Sequence, residues 1–86
     1  MSEVTIYTID TCPYCRAAKT FLNRKGVDFT EIDVTTDIKT KRKVMDELGW
    51  RTVPMIIVNG KFIGGYDDMK ALDRENKLDR LLSKEN

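Results

Sequence analysis

The two cysteines of this 86-residue chain stand three residues apart, in Cys12-Pro13-Tyr14-Cys15, where a β-rich run gives way to a helical pattern. Val4-Thr5-Ile6-Tyr7-Thr8-Ile9 carries the β-branched and aromatic side chains that suit a pleated sheet. It predicts a strand, expected to be buried on both faces. Asp10-Thr11 interrupts it. Pro13 suits the first turn of a helix, where a missing N–H costs nothing. From there Ala17, Ala18, Phe21 and Leu22 recur at helical spacing, opposite Arg16, Lys19, Asn23 and Arg24. Gly26 is placed to stop the helix. The cysteine pair therefore opens a helix directly after a strand.

The rest of the chain continues the alternation. Phe29 to Val34 predicts a second strand with Ile32 and Val34 on one face. Thr35-Thr36-Asp37 offers capping side chains for a second helix whose apolar stripe is Val44, Met45 and Leu48, closed by Gly49. Met55-Ile56-Ile57-Val58 is a third strand and Phe62-Ile63 belongs to a fourth. Asn59-Gly60 between them is a strong hairpin signal. After Gly64-Gly65, either Asp67 or Asp68 is expected to cap a third helix containing Met69 and Leu72. Leu78, Leu81 and Leu82 suggest a short last helix, with a frayed tail from Ser83 to Asn86. The order β-α-β-α-β-β-α, plus the short C-terminal helix, predicts an α/β fold. A right-handed parallel crossover and an antiparallel hairpin make the four-stranded sheet mixed, with helices flanking it. Residues 1–86 are expected to form one domain, without repeats or linkers.

Composition narrows the function. Fifteen basic against fourteen acidic residues give a formal charge of +1, which offers no electrostatic reason to expect nucleic acid or an anionic membrane as partner. No apolar run approaches the ~18 residues that span a bilayer, and the N-terminus has no leader-like pattern. The expected location is therefore cytoplasmic, where thiols are kept reduced. The chain has no histidine. That removes Cys–His nucleophile pairs and histidine metal ligands.

A Cys-x-x-Cys beside a βαβ pattern in a cytosolic chain points to redox chemistry. The nucleophile is the thiolate, and thiol pKa values fall from about 8.5 to about 3.5–7.5 at helix N-termini or beside cations. Cys12 stands where unpaired backbone N–H groups and the positive end of the helix dipole converge. Cys15 lies one turn further in. Cys12 is thus expected to attack and Cys15 to resolve, through a mixed disulfide on Cys12. A zinc site would need four ligands, which one chain with two cysteines and no histidine supplies only by recruiting carboxylates. A structural disulfide closing a two-residue loop would constrain little chain entropy.

Cys12-Pro13-Tyr14-Cys15, then Thr52-Val53-Pro54, then Gly64-Gly65-Tyr66-Asp67-Asp68, together resemble a dithiol glutaredoxin across essentially the whole chain. The resemblance implies a thioredoxin-like fold, a cis bond before Pro54, and glutathione as reducing co-substrate with no tightly bound cofactor or metal. It implies glutathione contacts at Tyr14, Lys41, Thr52, Val53, Pro54, Gly65, Asp67 and Asp68. In that arrangement the Val53 backbone pairs with the cysteinyl unit, Asp67 and Asp68 meet the γ-glutamyl end, and Lys41 faces the glycine carboxylate. Trp50 is expected to pack rather than bind. The partners implied are glutathione and disulfide-bearing or glutathionylated proteins, and the chain is expected to act as a monomer.

Ile9 departs from the resemblance, because many glutaredoxins carry a lysine at that position. The Cys12 thiolate is then expected to rely mainly on the helix terminus, with Arg16, Lys19 and Arg51 as possible substitutes for the charge. Two other functions fit a Cys-x-x-Cys redoxin: one reduced by a thioredoxin-reductase-type flavoprotein, and a dimer holding an iron–sulfur cluster through Cys12 and glutathione. The second normally goes with a single active-site cysteine, so Cys15 argues against it.

Overall fold

Val4, Ile6 and Thr8 are buried while Thr5 and Tyr7 between them are half-buried, so the first strand, β1 (Val4–Thr8), alternates along its length. The expectation of burial on both faces is corrected: one face is buried and the other half-buried. The computed structural model describes residues 3–82. After β1 come α1 (Pro13–Arg24), β2 (Thr30–Asp33), α2 (Ile38–Leu48), β3 (Met55–Val58), β4 (Lys61–Gly64), α3 (Tyr66–Arg74) and α4 (Lys77–Leu82). The tail from Ser83, expected to fray, lies outside the described residues.

The strands form one sheet in the order β2-β1-β3-β4. β1 and β2 run parallel through the α1 crossover, with Tyr7 opposite Ile32. β3 is antiparallel to β1, with Ile6 opposite Ile56, and β4 is antiparallel to β3. The mixed four-stranded sheet with flanking helices is therefore as expected. β1 lies inside the sheet, which brings the cysteine motif at its end beside the loop that precedes β3.

One core cluster joins Val4 and Ile6 of β1, Ala18 and Leu22 of α1, Ile56 and Val58 of β3, Met69 of α3, and Leu78 and Leu82 of α4. Each large aliphatic side chain so buried is worth about 1.5–3 kcal/mol relative to exposure. Met55 is out of phase with Ile56 and Val58, so it is buried on the opposite face of the sheet. Val44 of α2 is also buried outside the cluster.

The helix ends follow local chemistry, with one correction. Asp37 caps α2, its Oδ1 accepting from Thr40 N–H at 3.1 Å, and Gly49 closes it at φ 64°. The N-cap of α3 is Gly65, not Asp67 or Asp68. Asp68 instead stands in the third helical position and reaches back, its Oδ2 accepting from Gly65 N–H at 2.9 Å. Asn59 and Gly60 take φ 50° and 83°, the pair of positive values a tight two-residue hairpin demands. Lys25 at the end of α1 bonds Asp73 at 2.8 Å and Asp79 at 2.9 Å, tying α1 to α3 and α4. Those two carboxylates hold its ammonium above the usual lysine range.

Candidate active site

α1 starts at Pro13, which makes Cys12 its N-cap and puts the thiol among the unpaired N–H groups of the first turn. Cys12 Sγ accepts from Cys15 N–H at 3.1 Å. It lies 3.6 Å from the Val53 carbonyl, to which the protonated thiol donates. A charge on this sulfur would strengthen the first contact and oppose the second. The loop before Cys12 is held in turn: Asp10 N–H donates to Thr35 Oγ1 at 2.8 Å, and the Thr35 hydroxyl and N–H both donate to Asp33. Those Thr35 bonds hold the exposed Asp33 carboxyl below its usual range. Arg16 donates to the Asp10 carbonyl at 3.3 Å.

Cys15 is 1% exposed and Cys12 8%, so the second cysteine is the more buried, as its place one turn into the helix predicts. Burial, followed by the hydrogen bond with Cys12, pushes the Cys15 thiol up to about 12. The Ile9 backbone and the Lys19 charge pull the other way. At neutral pH Cys15 is a thiol. Both cysteines are free.

Beside Cys12 a groove of about 350 Å³ opens. Tyr14, Thr52, Val53, Pro54, Gly65, Asp67 and Asp68 line it, so the structure gathers three distant sequence segments around one cavity. The Val53–Pro54 bond is cis. Val53 belongs both to the groove wall and to the immediate surroundings of the Cys12 sulfur. Tyr14 is 59% exposed, and its ring stands 6.0 Å from that of Tyr66, which also lines the groove. Acid groups and the N-terminal N–H groups of α3 lie together in the lining, so the groove offers both anionic and donor contacts.

Two lining residues were not among the expected contacts. Trp50 packs edge-on against Phe62 at 5.2 Å, as a packing residue should, yet the groove also runs along it. Tyr66 sits inside the Gly-Gly-Tyr-Asp-Asp segment, and its position between the glycines and the acids was the available signal. Lys41, on α2, lies outside the groove lining. Ile9 is half-buried and brings no charge. Of the substitutes considered, Lys19 is paired with Glu31 at 2.9 Å, and Lys19, Arg16 and Arg51 all lie outside the lining.

A helix-capping thiol that accepts an N–H bond, a buried partner thiol one turn away, and a ligand-sized groove beside them define a thiol–disulfide redox protein. Comparison with known proteins gives the family. The glutaredoxin family model matches residues 4–63. The chain is 43% identical over 82 residues to "Glutaredoxin 3" of Escherichia coli (strain K12), covering 95% of this chain and 99% of that one. It is 46% identical over 83 residues to "Glutaredoxin" of Pseudomonas aeruginosa, covering 96% and 99%. The solution structure of glutaredoxin from Brucella melitensis superposes with a TM-score of 0.85 at 40% identity, covering 98% of this chain and 91% of that one. A buckwheat glutaredoxin, solved as a glutathione complex, shares the fold with a TM-score of 0.91 at 24% identity, covering 96% and 78%. The chain belongs to the glutaredoxin family, has the thioredoxin-like fold and is a thiol–disulfide oxidoreductase. Among the described residues no helix is long and apolar enough to cross a membrane.

Proposed function

We propose that this oxidoreductase takes its electrons from glutathione and acts on both protein disulfides and protein–glutathione mixed disulfides. The observation that carries this reading is the groove: its lining joins Val53, whose carbonyl meets Cys12, to Asp67 and Asp68 on the first turn of α3. A tripeptide with a central thiol, an ammonium and two carboxylates matches that succession of backbone, acid and helix-terminal N–H groups. The buckwheat relative is described in complex with glutathione.

With a glutathionylated protein, the Cys12 thiolate attacks the glutathione sulfur. The Cys12–glutathione bond forms, and the protein thiolate departs and takes a proton from solvent. A second glutathione thiolate then attacks the glutathione sulfur held on Cys12. Glutathione disulfide leaves and the Cys12 thiolate returns, so one free glutathione thiol is oxidised for each protein thiol released. With a protein disulfide, Cys15 closes the cycle by displacing the protein from Cys12, and glutathione then reduces the Cys12–Cys15 disulfide. Lys41 extends the reading beyond the groove, as the cation that would meet a glycine carboxylate. Action in the cytoplasm, as a monomer, completes the proposal.

The reductant is tested by supplying the oxidised protein with either glutathione and its reductase or a thioredoxin-reductase-type flavoprotein, with NADPH consumption as readout. The glutathione system is expected to be at least about tenfold faster, since only it uses the groove's differential contacts. Faster reduction by the flavoprotein would make the chain a redoxin of the other kind.

A further inference from the structure

Thr8, Lys19 and Glu31 meet on one carboxylate oxygen. The Thr8 hydroxyl donates to Glu31 Oε2 at 2.6 Å, and Lys19 Nζ donates to the same oxygen at 2.9 Å. Thr8 is 1% exposed, the one polar side chain among the buried described residues. It sits at the end of β1, in register with Asp33 of β2, four residues before Cys12. These bonds, Thr8 first and Lys19 second, hold the Glu31 carboxyl below its usual range. None of the three residues lines the groove.

The cluster lies close to the chemistry all the same. Lys19 follows Cys15 by four residues on α1, so the two share a helix face. Cys15, Ala18 and Leu22 bury that side of the helix against the sheet, and Glu31 on β2 draws the Lys19 chain toward it. A lysine side chain is long and flexible, and without a partner it would spread into solvent. Glu31, itself fixed by the buried Thr8 hydroxyl, gives it one position. Burial and Cys12 push the Cys15 thiol up, and the Ile9 backbone and, least of these, the Lys19 charge draw it down.

We propose that Lys19, oriented by Glu31 and Thr8, is an electrostatic positioning residue for the resolving step, its ammonium supporting negative charge on Cys15 as that sulfur attacks the Cys12 mixed disulfide. The inference rests on the reading of Cys15 as the resolving thiol. In that step the Cys15 thiol gives its proton to solvent and its sulfur forms the bond to Cys12 Sγ. The bond between Cys12 and the substrate sulfur breaks, and the substrate thiolate leaves and is protonated. The cysteine pair is oxidised by two electrons and the substrate disulfide is reduced by two. A buried sulfur has little water to stabilise its developing charge, so a nearby fixed cation raises the rate.

The two attacks can be timed separately with 5,5′-dithiobis(2-nitrobenzoate) in stopped flow. The first thionitrobenzoate released reports attack by Cys12, and the second reports Cys15 displacing the thionitrobenzoate left on Cys12. Lys19→Met is expected to slow the second release about fivefold at pH 7, the size of a partly screened charge effect, and to leave the first within about twofold. Lys19→Arg, which keeps the charge, is expected to restore the second release. An unchanged second release in Lys19→Met, or equal slowing of both releases, would overturn the proposal. Cys15→Ser serves as the separate control: it should release one thionitrobenzoate only, and two would mean that Cys15 is not the resolving thiol.

Discussion

Replacing Cys12 by serine is expected to abolish turnover of a glutathione mixed disulfide, by about three orders of magnitude or more, as loss of a covalent nucleophile does in other enzymes. A serine hydroxyl at this N-cap would still accept the Cys15 N–H, so the fold should persist. It would lack the ionisable, polarisable sulfur that attacks a disulfide. Cys15→Ser should retain most of this activity, because glutathione itself can release the product from Cys12, while reduction of protein disulfides through both cysteines should be lost. The asymmetry comes from placement. Cys12 caps the helix beside the groove, whereas Cys15 is enclosed and held as a thiol at neutral pH. Activity that survives in Cys12→Ser and vanishes in Cys15→Ser would reverse the assigned roles.

The second large effect is structural and sits at the turn from β4 into α3. Gly64 has φ +110°, and a Cβ built on it would stand 2.5 Å from Asp68 Oδ2, 2.7 Å from its Cγ and 2.8 Å from its Cβ. The obstruction reaches down to the Asp68 Cβ, so rotating the carboxylate does not relieve it. Gly64→Ala must therefore strain the backbone and break the Asp68–Gly65 hydrogen bond, together costing about 3 kcal/mol. Urea unfolding should show a lower midpoint with little change in slope. Glutathione-dependent activity should fall as well, since Gly65, Asp67 and Asp68 line the groove. In an Asp68→Ala background the same substitution should cost less, because the Cγ and Oδ2 clashes and the hydrogen bond to Gly65 are already gone and only the Cβ contact at 2.8 Å is left. An unchanged midpoint in Gly64→Ala would contradict this account of the corner between β4 and α3.

Much of this was legible in the chain, for identifiable reasons. The order of elements and the mixed sheet follow from an apolar run, a helical stripe and Asn59-Gly60, all of them local signals. The depth of burial along β1 is not local: Thr5 and Tyr7 alternate with Val4, Ile6 and Thr8 because of what covers each face of the finished sheet. Acidic residues favour several positions in a first helical turn, so Asp68 as a cap and Asp68 as a residue reaching back to Gly65 look alike in sequence. Trp50 illustrates the same limit at the site. Packing on Phe62 and lining the groove are compatible, and only the approach of residues 14, 50 and 66 in space reveals the second role. Charge partners were the least legible. Lys19 meets Glu31 across 12 residues and Lys25 meets Asp73 across 48, separations at which no periodicity operates. Lys19, considered as a stand-in for the lysine absent at Ile9, is instead committed to a carboxylate under α1.

The central claim is that glutathione occupies the groove with its sulfur on Cys12. The direct measurement is the amide NMR spectrum of Cys15→Ser before and after glutathionylation with glutathione disulfide. The account predicts one glutathione, on Cys12, with shift changes concentrated at Tyr14, Thr52-Val53 and Gly65 to Asp68. Changes confined to the first turn of α1, with the Thr52-Val53 and Gly65 to Asp68 signals unmoved, would contradict it.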